Sequence, residues 1–241
     1  MMKYKFFILV LVIISNLLYA QVLYEYPKGQ DFYKGGRQGL YSEVQQIVVK
    51  KQMRSCEKTE ALLMRFVVYP DATIKYVSDS DKNAEENNKC LKEKVLDVLK
   101  DVKNWKPAEV NGQKNAAMVT MLFHDDLLFN NRVSDDAFSM PIYIYKDKES
   151  NIMKFRENFA KCFDTNGYRP IGDYSFTINF DIDTNGEAGF FYIENQSTLD
   201  KFNEMVVRCA TNSKKAYWKP GYYKSVPIKQ VFKMPIKFAA N

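Results

Sequence analysis

Trp105-Lys106-Pro107 recurs as Trp218-Lys219-Pro220, an offset of 113 residues (218 − 105), and this repeat decides how the chain divides. Carried forward without a gap, the offset lays Val119-Thr120-Met121-Leu122-Phe123 on Phe232-Lys233-Met234-Pro235-Ile236, apolar on apolar at four of five positions. Upstream the offset becomes 114, where Phe66 to Ile74 falls on Phe180 to Ala188. The chain reads as a tandem duplication of units of roughly 110 residues, a usual size for one small domain.

Both units repeat one order. A helix opens each, with Leu40, Val44, Ile47 and Val48 on one face in the first and Ile152, Phe155 and Phe159 in the second, the three-and-four spacing of an amphipathic helix. Two strands follow; Tyr174, Phe176, Ile178, Phe180 and Ile182 alternate with polar neighbours, and Asp183-Thr184-Asn185-Gly186 turns the chain into Phe190-Phe191-Tyr192-Ile193. A second helix carries Leu91, Val95, Val98, Leu99 and Val102, or Leu199, Phe202, Met205 and Val206, the latter with Ser197 and Asp200 as its expected cap. A last strand closes each unit. The expected class is α+β: two tandem αββαβ domains, 21–124 and 141–241, joined by a polar linker at 125–140, each a small antiparallel sheet with helices on one face.

The first twenty residues stand apart. Lys3 and Lys5 precede the apolar run Phe6 to Ile14, and Leu18-Tyr19-Ala20 stands before Gln21, the layout of a cleaved signal peptide. The run stops at Ser15-Asn16, short of the ~20 residues a spanning helix needs. A periplasmic or secreted protein is expected, without a membrane span after processing. With 46% hydrophobic and 27% charged residues the chain is globular in composition, and its single histidine argues against a catalytic triad or a histidine-rich metal site.

Export makes the four cysteines, none in a CxxC, disulfide candidates. Cys56 lies 10 residues before Phe66 and Cys162 18 before Phe180; Cys90 lies 15 before Trp105 and Cys209 9 before Trp218. The shifts, eight upstream and six downstream, point the same way along an antiparallel helix pair. A bridge between the helices survives at a different height, so Cys56–Cys90 and Cys162–Cys209 are expected, one in each unit.

The order strand, turn, strand, helix, Trp-Lys-Pro-Ala, Asn-Gly, strand resembles the C-terminal domain of TonB, over Phe66 to Val77, Trp105 to Gly112 and Met118 to Phe123, and more loosely over Phe180 to Phe238. The resemblance implies the fold and, for the first unit's last strand, partner binding by strand addition. Two positions depart from it. Ala72 stands where the second unit has Gly186, so a positive φ there would be costly, and the second unit lacks the Asn-Gly. TonB's membrane anchor and proline-rich rod are also missing, so its energy-transducing role is not inherited with the fold.

Chemistry is scarce. Asp181, Asp183, Asn185 and Gly186 match half a calcium loop, but the twelfth position is Tyr192, and a hairpin turn is the better reading. His124-Asp125-Asp126 and Asp135-Asp136 read as polar linker. No catalytic residue, metal site or cofactor is expected, and no nucleic-acid partner. Two binding surfaces remain. Val119, Met121 and Phe123 share one face of a strand whose other face, Met118, Thr120 and Leu122, is also largely apolar; either the other domain covers it or an envelope protein or peptide is added there. From Met205 onward there are eight basic and no acidic residues, and Lys229, Lys233 and Lys237 line one face of the last strand opposite Ile228, Phe232, Met234, Ile236 and Phe238. Protection of an exposed edge is the plainer reading of that strip, an anionic envelope surface the other. The expected function is an exported, non-catalytic binding protein of the bacterial cell envelope; a surface scaffold, or an anchored transducer if the signal stays on, are the alternatives.

Overall fold

A computed structural model describes residues 22–79, 81–129, 135–163, 174–194, 197–211 and 216–238; the N-terminal apolar run lies outside them. The fold is α+β. In chain order the first half holds α1 (Gly36–Lys50), β1 (Ala61–Val68), β2 (Ile74–Val77), α2 (Lys82–Asn87), α3 (Lys89–Leu99), β3 (Ala108–Val110), β4 (Gln113–Asn115) and β5 (Ala117–His124). After α4 (Asp125–Leu128) come β6 (Phe138–Ser139), β7 (Ile142–Tyr145), β8 (Lys148–Ser150), α5 (Ile152–Cys162), β9 (Tyr174–Ile182), β10 (Ala188–Glu194), α6 (Asp200–Thr211), β11 (Ala216–Lys219), β12 (Gly221–Tyr223), β13 (Val226–Ile228) and β14 (Gln230–Phe238).

Each half has an antiparallel three-stranded sheet in the same spatial order, β2-β1-β5 and β10-β9-β14. Strand register reproduces both sequence offsets. Phe66 faces Val119 across β1 and β5, and Phe180, 114 residues on, faces Phe232, 113 residues on. The hairpin turns agree bond for bond: Tyr69 N–H donates to Thr73 and Ala72 N–H to Tyr69, as Asp183 donates to Glu187 and Gly186 to Asp183. The β3–β4 turn runs through Asn111 and Gly112, both at positive φ. Its counterpart β12–β13 turns through Lys224, also at positive φ, so the hairpin persists without the Asn-Gly. One correspondence has no sequence motif: Tyr33 bridges Trp105 as Tyr143 pairs with Trp218, placing an extended segment before the first helix of each half.

Helix packing follows the apolar spacing. Leu40, Val44 and Val48 of α1 and Leu91, Val95 and Val98 of α3 close over Met64, Phe66 and Met121. In the second half Phe155, Phe159, Phe202 and Val206 close over Ile178, Phe180 and Met234. Asn151 caps α5 by accepting from the Met153 and Lys154 N–H groups. Ser197 Oγ accepts from Leu199 N–H, but Asn203 completes that turn where Asp200 was expected. Among the described residues no helix is long and apolar enough to cross a membrane.

Ala72 adopts the costly positive φ, +65°, matching Gly186 at +84°, because the turn's hydrogen bonds fix the backbone there. Two expectations need correction. Residues 125–140 are more than a linker: α4 follows β5 directly, and β6 pairs with β12. Finally, Cys56–Cys90 and Cys162–Cys209 are bridged, with Cα atoms 6.1 and 5.5 Å apart, yet only the second bridge joins two helices. Cys56 lies beyond the end of α1, so the argument from height along a helix pair holds for one half alone.

Candidate functional site

Of the residues expected to bind a partner, three lie in the first half's own core, two pair with acids of the first half and one stays at the surface. Val119, Met121 and Phe123 point into the first core, at most 4% exposed, so their side chains cannot meet a partner. Leu122 on the other face packs against Tyr223, Ile228 and Ala61. The outer edge of β5 is occupied at its start, where Leu23 pairs parallel with Ala117, donating to Ala116 and accepting from Met118 N–H.

The basic strip behaves likewise. The strand breaks at Lys229, which is 4% exposed and turned onto Asp79 of the first half. Lys233 bonds Glu25 and reaches Glu194 at 3.3 Å. Lys237 stays at the surface. Lys229 is buried on an acid of this same chain and protects no edge; Lys233, half exposed on the edge strand β14, also has acids of this chain as counterions.

These bonds belong to a polar layer between the sheets. Arg65 lies on the face of β1 away from the helices and meets Asp181 of β9 at 2.5 Å, with Asp79 at 3.7 Å and Lys229 3.9 Å from Asp181. Two cations and two anions, all under 9% exposed, neutralise one another across the halves, as buried charges must. Burial holds the Asp181 carboxyl above its ordinary range against the pull of Lys229 and Arg65. At one flank Tyr24 stacks on Tyr192, centroids 4.8 Å apart. At the other, Asp81 caps α2 and accepts from Thr184 N–H and Oγ1 at 3.1 and 2.6 Å.

The remaining acidic and histidine clusters have structural work. Asp183 accepts from Asn185 and Glu187 N–H groups within its own turn, while Asp181 faces Arg65, so the half calcium loop is a hairpin turn. His124 Nδ1 accepts from Leu127 N–H and caps α4; burial lowers its pKa to about 4. Asp125 accepts from Glu60 N–H, and Asp126 from Tyr223. Cys56, Glu60 and Cys90 place donor atoms within 4.8 Å of one another, but the sulfurs are bridged and Glu60 accepts from Leu91 N–H.

What stays open is the other edge of the first sheet. Among the described residues β2 pairs with β1 alone. Since Tyr69 N–H meets Thr73 O, the antiparallel alternation turns the main-chain groups of Ile74 and Tyr76 outward. Beneath this edge lies a groove of about 390 Å³ floored by Phe66, Leu99, Val102 and Trp105 and rimmed by Ala72, Lys100 and Lys103. The second half's equivalent strand, β10, likewise pairs with β9 alone among the described residues, but its Tyr192 and Glu194 side chains meet Tyr24 and Lys233. The departure of Ala72 from glycine was the one sequence signal at this place. The sequence carries none for the free edge itself, because pairing partners are set by the sheet. The chain matches no protein-family model, no curated protein and no solved structure.

Proposed function

We propose that the chain is an exported, non-catalytic binding protein of the cell envelope, TonB C-terminal-like in each half, which grips an envelope protein or peptide by adding an extended segment to β2. The observation that carries this is the unpaired β2 edge above an apolar groove, the arrangement used in strand addition. Two disulfides suit an oxidising compartment, and the signal-like N-terminus suits export. A non-catalytic reading is supported by His124, Asp125 and Asp126, which accept from Leu127 N–H, Glu60 N–H and the Tyr223 hydroxyl respectively.

Photo-crosslinking tests it. With a photoreactive residue at Lys75 on β2, the mature chain is expected to capture an envelope protein, and Ile74→Pro to abolish capture. Ile74 N–H points away from β1, so proline blocks the outer edge and spares the ladder. An unchanged melting temperature verifies the fold. Capture insensitive to Ile74→Pro, or no capture, would refute the docking edge.

A further inference from the structure

We propose that the segment added to β2 is an extended acidic peptide bearing one large apolar side chain, and that the groove beneath β2 is the socket for that side chain. This rests on the reading of β2 as a docking edge and names the chemistry of its partner.

The socket is an asymmetry between the halves. At the second hairpin tip, a Cβ on Gly186 would lie 2.0 Å from the Trp218 carbonyl oxygen, so tip and tryptophan turn are in contact. In the first half a Cβ is present on Ala72, at the same turn position, and it lines an open groove together with Trp105. A methyl group at positive φ thus sits where closure needs glycine. Phe66, Ile74, Tyr76, Leu99, Val102 and Trp105 supply an apolar lining, which suits an aliphatic or aromatic side chain.

Charge selects what flanks it. Lys100 and Lys103 line the groove and present positive charge there. The bond from Lys100 to Asp97, 3.4 Å with side chains 73% and 46% exposed, is a weak surface pair that a bound carboxylate can displace. An acyl chain would fill the groove but leave the outward groups of Ile74 and Tyr76 to water. A peptide satisfies them while its alternate side chain enters the socket.

The test uses the mature chain and two fluorescein-labelled, tryptophan-free peptides with the centre Val-Leu-Val-Val, one flanked by Asp-Asp at both ends and the other by Lys-Lys. By anisotropy at about 50 mM salt, the acidic peptide is expected to bind at least roughly ten-fold tighter. Its advantage should shrink at about 0.5 M salt, and Lys100→Glu with Lys103→Glu should reverse it; replacing the central leucine by asparagine should abolish binding. Equal affinities, a preference that survives charge reversal, binding of neither peptide, or saturation of the groove by dodecanoate but not peptide would each overturn the proposal. Ile74→Pro separates the two readings: if both peptides bind alike and both are lost in Ile74→Pro, the docking edge stands and the acidic partner falls. If the acidic peptide binds Ile74→Pro unchanged, the docking edge itself falls.

Discussion

Ala72 and Gly186 share a backbone conformation and differ by one methyl group, which turns them into opposite experiments. An L-residue at positive φ costs about 1–2 kcal/mol, part of which glycine returns as chain entropy. Ala72→Gly is therefore expected to stabilise the protein by about 0.5–1 kcal/mol in urea titrations. Gly186→Ala should cost on the order of 3 kcal/mol, because its Cβ would meet the Trp218 carbonyl. Either change in the opposite direction would mean that the tip geometries differ from those described. The sequence shows the cost at Ala72 but not that the chain bears it, since the turn's hydrogen bonds decide.

His124 gives a second test at this scale. Burial depresses its pKa to about 4, with Asp126 pulling up and Lys224 down, against about 6.5 in the unfolded chain. The unfolded state then binds more protons between these values, so this contribution is complete above pH 6.5 and is lost as pH falls toward 4. It is worth on the order of 3 kcal/mol. An imidazolium cannot accept the Leu127 N–H, whereas asparagine can. His124→Asn should therefore flatten the pH dependence of the urea midpoint over this window, and an unchanged slope would contradict the assignment. As the chain's only histidine, its ring resonance titrates without overlap.

Among the elements, pairing register was legible because two short repeats with offsets of 113 and 114 residues pin both ends of the first and last strands. Partner choice for the outer edges was not. Two apolar faces on β5 say that both are covered, and only the fold shows that one is core and the other meets Tyr223 and Ile228. The bridges likewise follow from the repeat while their helical setting does not, because Cys56 falls past the end of α1. The bridges span 34 and 47 residues of sequence separation, each worth about 4 kcal/mol in the chain-entropy model. Paired serine replacements at Cys56 and Cys90, or at Cys162 and Cys209, are expected to lower unfolding free energy by that order. A loss confined to one pair would show that the other half is held by its core alone.

At the scale of the whole molecule, helices lie outside and the helix-free sheet faces meet across charge. The surplus of basic residues after Met205 was visible in the sequence. That Lys229 and Lys233 meet acids of the first half was not, because composition does not say which faces meet. A lone Arg65 within an apolar strand, and Asp181 as the one charge on the polar face of β9, were the nearest hint. Removing one member of a buried network leaves uncompensated charge, and Arg65→Met is expected to cost about 3–5 kcal/mol. If Arg65, Asp79, Asp181 and Lys229 fuse the halves, differential scanning calorimetry of the oxidised protein should show one transition whose calorimetric and van't Hoff enthalpies agree, and Arg65→Met should split or broaden it. Two separate transitions in the unaltered chain, with Arg65→Met leaving both in place, would contradict the fused interlayer.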